Sequence, residues 1–395
     1  MELRKINKNQ KKGNRHLYKR KSRAHTYIMR SLLVFATLIL LLVIGVVSVV
    51  ATVAHGPSET IRNTLVLSAM QASATKWVPG LFLGDELVAD ILEQSSNVTK
   101  EVISFDDYKN NYTDTNNGGS SSSANNGSDD EWADAVNGMK LITITNPTYK
   151  GYLLLVRDPS RVYVGTSSDF TNTSVEGVDI FTIVNREGCI AATNAGEFND
   201  PGGVGTGNTP IGLTYSKGEC VWSQSTQKTF IGIDKNNKLV VFDDLTKAEA
   251  DEIGVRDGVC FQTTSTENIL ISNDGSEVTL HKVENNTAVS QRTAIGQRAD
   301  GTMIFLVTDG RSAASMGATY NDVIDVMVKY GAVTAAMLDG GSSSMLYYEK
   351  YWEVYDEDYN YDTLDKYQKK GLVNNYKAFT MPRQIPTFFC IAPEA

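Results

Sequence analysis

Two apolar runs in this chain end on the same pair of residues. T-M-I-F-L-V-T-D-G-R stops at Asp309-Gly310, and A-A-M-L-D-G-G-S-S-S-M stops at Asp339-Gly340. A carboxylate at the end of a buried strand, followed by glycines that let the backbone turn sharply, is held rigidly at a cleft edge. Acids held that way suit general acid–base or nucleophilic work. A strand–helix–strand unit between the two ends could bring both carboxylates and several backbone N–H groups to one edge of a sheet. Other catalytic groups are scarce. Past the N-terminal region only His55 and His281 remain, and His281 sits in the alternating run V-T-L-H-K-V, a strand-face position. The cysteines (Cys189, Cys220, Cys260 and Cys390) show no C-x-x-C spacing, which disfavours a zinc or redox centre. A Ser-His-Asp triad or a multi-histidine metal site is disfavoured too.

Further polar segments surround these ends. In A-A-T-N-A-G-E-F-N-D-P-G-G, Asn194 can donate and accept hydrogen bonds, as sugar hydroxyls require, and Glu197 and Asp200 add carboxylates. Arg292, in Q-R-T-A-I-G, is a candidate fork for a phosphate or carboxylate. Arg311 and Gly317 follow Asp309, and the N–H groups of Gly340, Gly341, Ser342, Ser343 and Ser344 could form an anion-binding nest. Singly these read as tight turns or surface charges; their order and spacing give them weight. Carboxylates beside glycine loops could equally hold Ca²⁺, so a divalent cation is possible and no cofactor is firmly implied.

The elements that must position these groups follow a basic, then apolar, N-terminus. The first thirty residues hold 11 of the 37 Lys and Arg and one of the 46 acids. Residues 31–54 then carry no charge. At the helical rise this run spans ~36 Å, enough for a hydrocarbon core of about 30 Å. A signal-peptide core is typically about 7–15 residues, so an uncleaved anchor is the better reading. The positive-inside rule puts residues 1–30 in the cytoplasm and the main domain outside, a single-pass arrangement in the cell membrane. Beyond residue 30 the formal charge is −19, which argues against nucleic acid as a partner. An even number of cysteines in an exported domain permits disulfides, in three possible pairings. Residues 55–105 read as a membrane-proximal helical stem broken at Pro79-Gly80, and 106–131 as a low-complexity linker.

Residues 132–395 form the globular domain. Short strand-like runs dominate, with a hairpin around Asn236-Asn237 and a helix starting at Thr319 with Val323, Val326, Met327 and Tyr330 on one face. Many strands, few helices and no βαβ alternation predict an α+β fold: a mixed, mostly antiparallel sheet with a few helices, after one transmembrane helix and a helical stem.

The ordered set R-T-A-I-G, D-G-R, G-A-T and L-D-G-G-S-S-S-M, preceded by T-N-A-G-E-F and followed by P-R-Q-I-P-T, resembles the phosphodiester glycosidase family, over about residues 149–391. Matching positions are Asn194, Gly196, Phe198, Arg292, Thr293, Gly296, Asp309, Gly310, Gly317, Asp339, Gly340, Gly341, Ser343 and Arg383. Ser342 stands where many members have a third glycine, and Gln297 where the family's lysosomal member has histidine. The resemblance implies hydrolysis of a sugar-1-phosphodiester in an extracellular or envelope phosphoglycan. Asp339, Asp309 and Arg292 would be catalytic, and Asn194, Gly196, Gly340, Gly341, Ser343 and Arg383 would bind substrate. A non-catalytic envelope-glycan binding module, or an exopolysaccharide or wall-polymer assembly factor, is the alternative.

Overall fold

A computed structural model describes residues 2–70, 75–112, 131–168, 170, 175–200, 205–225, 229–261, 268–285, 287–312, 315–349, 351, 360–376 and 381–394, without the side chains of 2–24 and 111–112. The chain divides into two compact units, 1–62 and 63–395. In the first, Glu2–His55 is one continuous helix, and its 31-residue stretch His25–His55 is long and apolar enough to cross a membrane.

The second unit is built on an eight-stranded, wholly antiparallel sheet. From edge to edge its strands are Val98–Ser104, Glu277–Val283, Ile269–Asn273, Ala332–Leu338, Thr293–Arg298, Met303–Thr308, Lys150–Val156 and Met139–Thr145. A four-stranded sheet holds Leu346–Tyr348, Ala191–Asn194, Thr387–Ile391 and Val162–Thr166, and a five-stranded sheet carries Leu239–Asp243, Thr229–Asp234, Val255–Phe261, Leu213–Ser216 and Glu219–Ser223. Their inner faces share one core, in which the Phe305 and Phe389 rings from the eight- and four-stranded sheets lie 6.0 Å apart. The expected α+β architecture is present.

Local expectations hold where the side-chain pattern is decisive. Thr319 and Asp322 form a reciprocal capping box on the helix Tyr320–Lys329, which buries Val323, Val326 and Met327. The hairpin turn falls at Asn237, whose φ of 63° suits asparagine. His281 is buried on its strand with its ring 2.9 Å from the Ser272 hydroxyl.

The segment before residue 132 departs from the expected helical stem and linker. Glu59–Met70, Val78–Phe82 and Asp85–Gln94 are helices, with Pro79 in the first turn of the second, where its missing N–H costs nothing. Val98–Ser104, however, is an edge strand of the eight-stranded sheet, paired with Glu277–Val283 along its whole length. The helix Phe105–Tyr112 occupies the start of the expected linker, and residues 113–130 of that linker lie outside the described residues. The β-branched V-T-K-E-V-I run gains a ladder partner that no local pattern announces.

All four cysteines are free thiols.

Candidate functional site

Met303–Thr308 and Ala332–Leu338 flank Thr293–Arg298 on either side, so both run the same way and deliver their Asp-Gly ends to one sheet edge. Two strand spacings put those ends roughly 10 Å apart. Thr293 pairs with Val307 on one side and Leu338 on the other. Asp309 therefore stands two residues beyond that register and Asp339 only one. The two acids enter different surroundings.

Between the ends passes the chain at Ser290–Gln291, and the glycines make room for it. A methyl group on Gly310 would sit 2.7 Å from the Gln291 nitrogen, and one on Gly340 would sit 3.0 Å from the Gln291 carbonyl oxygen. The first is closer than a side chain tolerates, and the second would push the Gln291 backbone aside.

Asp339 lies where three segments meet. Its N–H donates to the Ala195 carbonyl at 3.0 Å. The Ser343 hydroxyl and the Gly340 N–H lie near its carboxylate and favour the charged form. Burial raises its pKa to about 6; the Ser343 bond, the Arg383 charge and the Gly340 N–H pull it back, while Glu197 pushes it further up. The Glu197 carboxylate, two residues past Ala195, is one source of that rise. Arg383 donates to Ser343 Oγ at 3.2 Å and pairs with Asp200 at 3.0 Å, and its guanidinium lies 5.8 Å from the Phe198 ring centre. Tyr376 fixes the rim: its hydroxyl donates to the Ser342 carbonyl at 2.6 Å and accepts the Arg383 N–H at 3.2 Å.

Asp309 has a different job. It is 3% exposed, accepts the Asn375 N–H at 2.8 Å and faces the Tyr152 hydroxyl at 3.5 Å. Burial raises its pKa to about 6, against the pull of Asn375, Lys150 and Tyr152. Asn375 belongs to a strap whose neighbour Asn374 holds the Leu346 N–H at 2.8 Å and the Ser344 carbonyl at 3.1 Å. Asp309 thereby anchors the strap that braces the Gly340–Ser344 turn. The structure does not bring it into the cleft with Asp339.

Other expected site residues are placed as follows. Arg292 donates to the carbonyls of Ala318 at 3.2 Å and Ala288 at 3.0 Å. Burial and the nearby Arg311 charge act to lower its pKa, to about 10. It clamps backbone, as a guanidinium fork does when carbonyls surround it, and offers no fork to a ligand. An Arg292→Ala chain is expected to lose about 2–4 kcal/mol of unfolding free energy by urea titration, since two hydrogen bonds from a charged donor to backbone are lost; unchanged stability would refute the clamp. Asn194 is wholly buried: its amide donates to the Asp339 carbonyl, and its oxygen accepts the Thr293 hydroxyl and the Met345 N–H, both at 3.0 Å. It positions Asp339 and reaches no sugar. The expected N–H nest is also turned inward. Gly341 N–H donates to the Gln291 carbonyl, Ser343 N–H to Gly340 and Ser344 N–H to Gly341, so Gly340 and Gly341 shape the turn. Gly196 likewise packs, since a methyl there would meet Val259 Cβ at 2.8 Å.

Ser343, wholly buried, and Arg383 lie beside Asp339. Glu197 and Arg311 are the additions; both were visible as residue types in T-N-A-G-E-F and D-G-R, but no periodicity tells which way a loop side chain turns. Gln297, the departure from the lysosomal pattern, is buried at the other end of its strand, bonded to Leu239, Asn237 and Gly301. Among the described residues no group of three or more His, Cys, Asp or Glu could hold a metal ion.

The profile of the phosphodiester glycosidase family matches residues 187–392, and the chain belongs to that family. Over 53 residues it is 47% identical to the SPbeta prophage-derived uncharacterized protein YomE of Bacillus subtilis (strain 168), a match covering 13% of this chain and 8% of that protein. Its fold is similar to the catalytic domain of zebrafish N-acetylglucosamine-1-phosphodiester alpha-N-acetylglucosaminidase, auto-inhibited by its pro-peptide: 20% identity, 64% of this chain and 82% of that one, TM-score 0.46. A Burkholderia pseudomallei K96243 protein described as exported aligns at 13% identity over 62% of this chain and 74% of its own, TM-score 0.41.

Proposed function

We propose that this domain hydrolyses a sugar-1-phosphodiester, cutting the bond between the anomeric carbon and the phosphate oxygen. The observation that carries this reading is Asp339 at the sheet edge, next to Ser343 and the Arg383 guanidinium that holds Ser343 Oγ at 3.2 Å, with Glu197 near enough to raise its pKa. Water adds its oxygen to the anomeric carbon, the C–O bond to phosphate breaks, and a phosphate monoester leaves with the bonding electrons. That leaving group is a stabilised anion, so it needs charge neutralisation more than protonation. Asp339, fixed by Ser343 and Gly340, faces the positive charge that develops at the anomeric centre. Glu197 takes the proton from water. Asn194, Arg292 and Asp309 hold the frame.

The helix His25–His55 anchors the chain in the cell membrane, its N-terminus cytoplasmic, with the cleft outside, facing phosphoglycans of the envelope. Purified full-length chain in detergent should release free sugar from a synthetic sugar-1-phosphodiester, assayed with and without chelator. No release under either condition, with glycan binding retained, would leave a binding module in place of an enzyme.

A further inference from the structure

The cleft holds a second arginine that the reaction so far does not use. Arg311 follows the Asp309-Gly310 end with φ of 55°, a left-handed conformation uncommon for a side chain of this size. Its guanidinium lies over the turn: a methyl group on Gly341 would be 3.8 Å from Nη1 and 3.9 Å from Nη2. Its side-chain hydrogen bond goes to the buried Ser290 hydroxyl at 3.1 Å. Among the described residues it pairs with no carboxylate. Its charged neighbours are Arg383 and Arg292, and burial and the Arg383 charge both hold its pKa down. Asp200 meets Arg383 from the other side. A half-buried cation, in a costly backbone conformation, beside another cation and without an acid, raises the free energy of the empty cleft. An anion between the two guanidiniums would remove that cost.

We infer that Arg311 and Arg383 clamp one phosphate group of the ligand above Gly341, with Arg311 setting the preference for a phosphorylated over a neutral sugar. This rests on the phosphodiester reading for its biological ligand, but the clamp is an anion site whether or not turnover occurs.

The test uses full-length chain carrying Asp339→Asn, so that no turnover intervenes, and titrates it calorimetrically with inorganic phosphate, with dimethyl phosphate and with a neutral methyl glycoside. Arg311→Asn is the informative second change, because asparagine accepts a positive φ and removes the charge. The expected result is a loss of phosphate and dimethyl phosphate affinity of about 10- to 100-fold, the scale of one or two charge-assisted hydrogen bonds. Binding of the glycoside should be unchanged and the melting temperature raised. Arg311→Lys should recover part of the affinity. Equal phosphate affinity with and without Arg311, or a fall in melting temperature with no change in binding, would overturn the clamp and make Arg311 a structural residue. Turnover by the otherwise unaltered chain is scored separately: sugar release in a chain that binds phosphate without Arg311 sinks the clamp alone, and Arg311-dependent phosphate binding without sugar release sinks the hydrolase alone.

Discussion

Replacing Asp339 by Asn is expected to lower sugar release by about 10³- to 10⁴-fold while the domain stays folded, in the upper range for loss of a positioned acid or base. Asparagine keeps an oxygen for the Ser343 hydroxyl and the Gly340 N–H, so the turn has no reason to rearrange. Glu197→Gln should cost about 10²-fold or more. Asp309→Asn should cost less than about tenfold, because Asp309 acts only through the strap. The pH profile separates these roles. Asp339 works ionised, and burial places its pKa at about 6, so turnover should rise as pH climbs through about 6 and level off above it. An Asp339→Asn chain that keeps more than a tenth of the activity, or a profile falling through that range, would remove Asp339 from the mechanism.

Asp309→Asn is expected to make the domain more stable at neutral pH, by about 1–3 kcal/mol. Burial raises the Asp309 pKa from the usual 3.8 to about 6. Between about pH 4 and pH 6 the folded chain therefore keeps a proton that the unfolded chain has lost. The contribution to stability is whole below the unfolded pKa and disappears as pH rises through the folded one, a difference of about 3 kcal/mol at about 1.4 kcal/mol per pH unit. Asparagine still accepts the Asn375 N–H and carries no charge to desolvate. Urea unfolding at pH 4.5 and pH 7.5 should show a smaller drop for Asp309→Asn than for the parent chain. It should not vanish, because Asp339 titrates in the same direction. A variant less stable than the parent at pH 7.5 would mean that the ionised carboxylate, not the neutral acid, holds the strap.

Both results turn on a distinction that residue order conceals. The sequence shows two apolar runs ending in Asp-Gly, and the fold does deliver both to one edge. It does not show that Thr293 is one residue short of Asp339 along the ladder but two short of Asp309, and that offset separates a cleft acid from an anchor. The capping box at Thr319 and the hairpin at Asn237 were legible because their partners lie within a few residues. Asn194, Arg292 and the Gly340–Ser344 amides were legible as polar groups, yet their partners come from up to about 150 residues away. Chemistry that looked available to a ligand was already taken by backbone. Glu197 and Arg311 are the converse: their neighbours on the chain gave no reason to prefer them, and only the packing of distant loops turns them toward Asp339 and Arg383.

The place of the last strand has a consequence in time. Thr387–Ile391 lies between Ala191–Asn194 and Val162–Thr166, with Phe388 paired to Asn194 and the Thr387 carbonyl accepting the Ala195 N–H. Arg383 arrives only a few residues earlier. The segment that bears Asn194 and Glu197 is synthesised nearly two hundred residues before the strand that flanks it. Until residues 383–391 have left the ribosome, the segment bearing Asn194 lacks the strand that pairs with it and Ser343 lacks the Arg383 guanidinium, so this part of the fold closes late in synthesis.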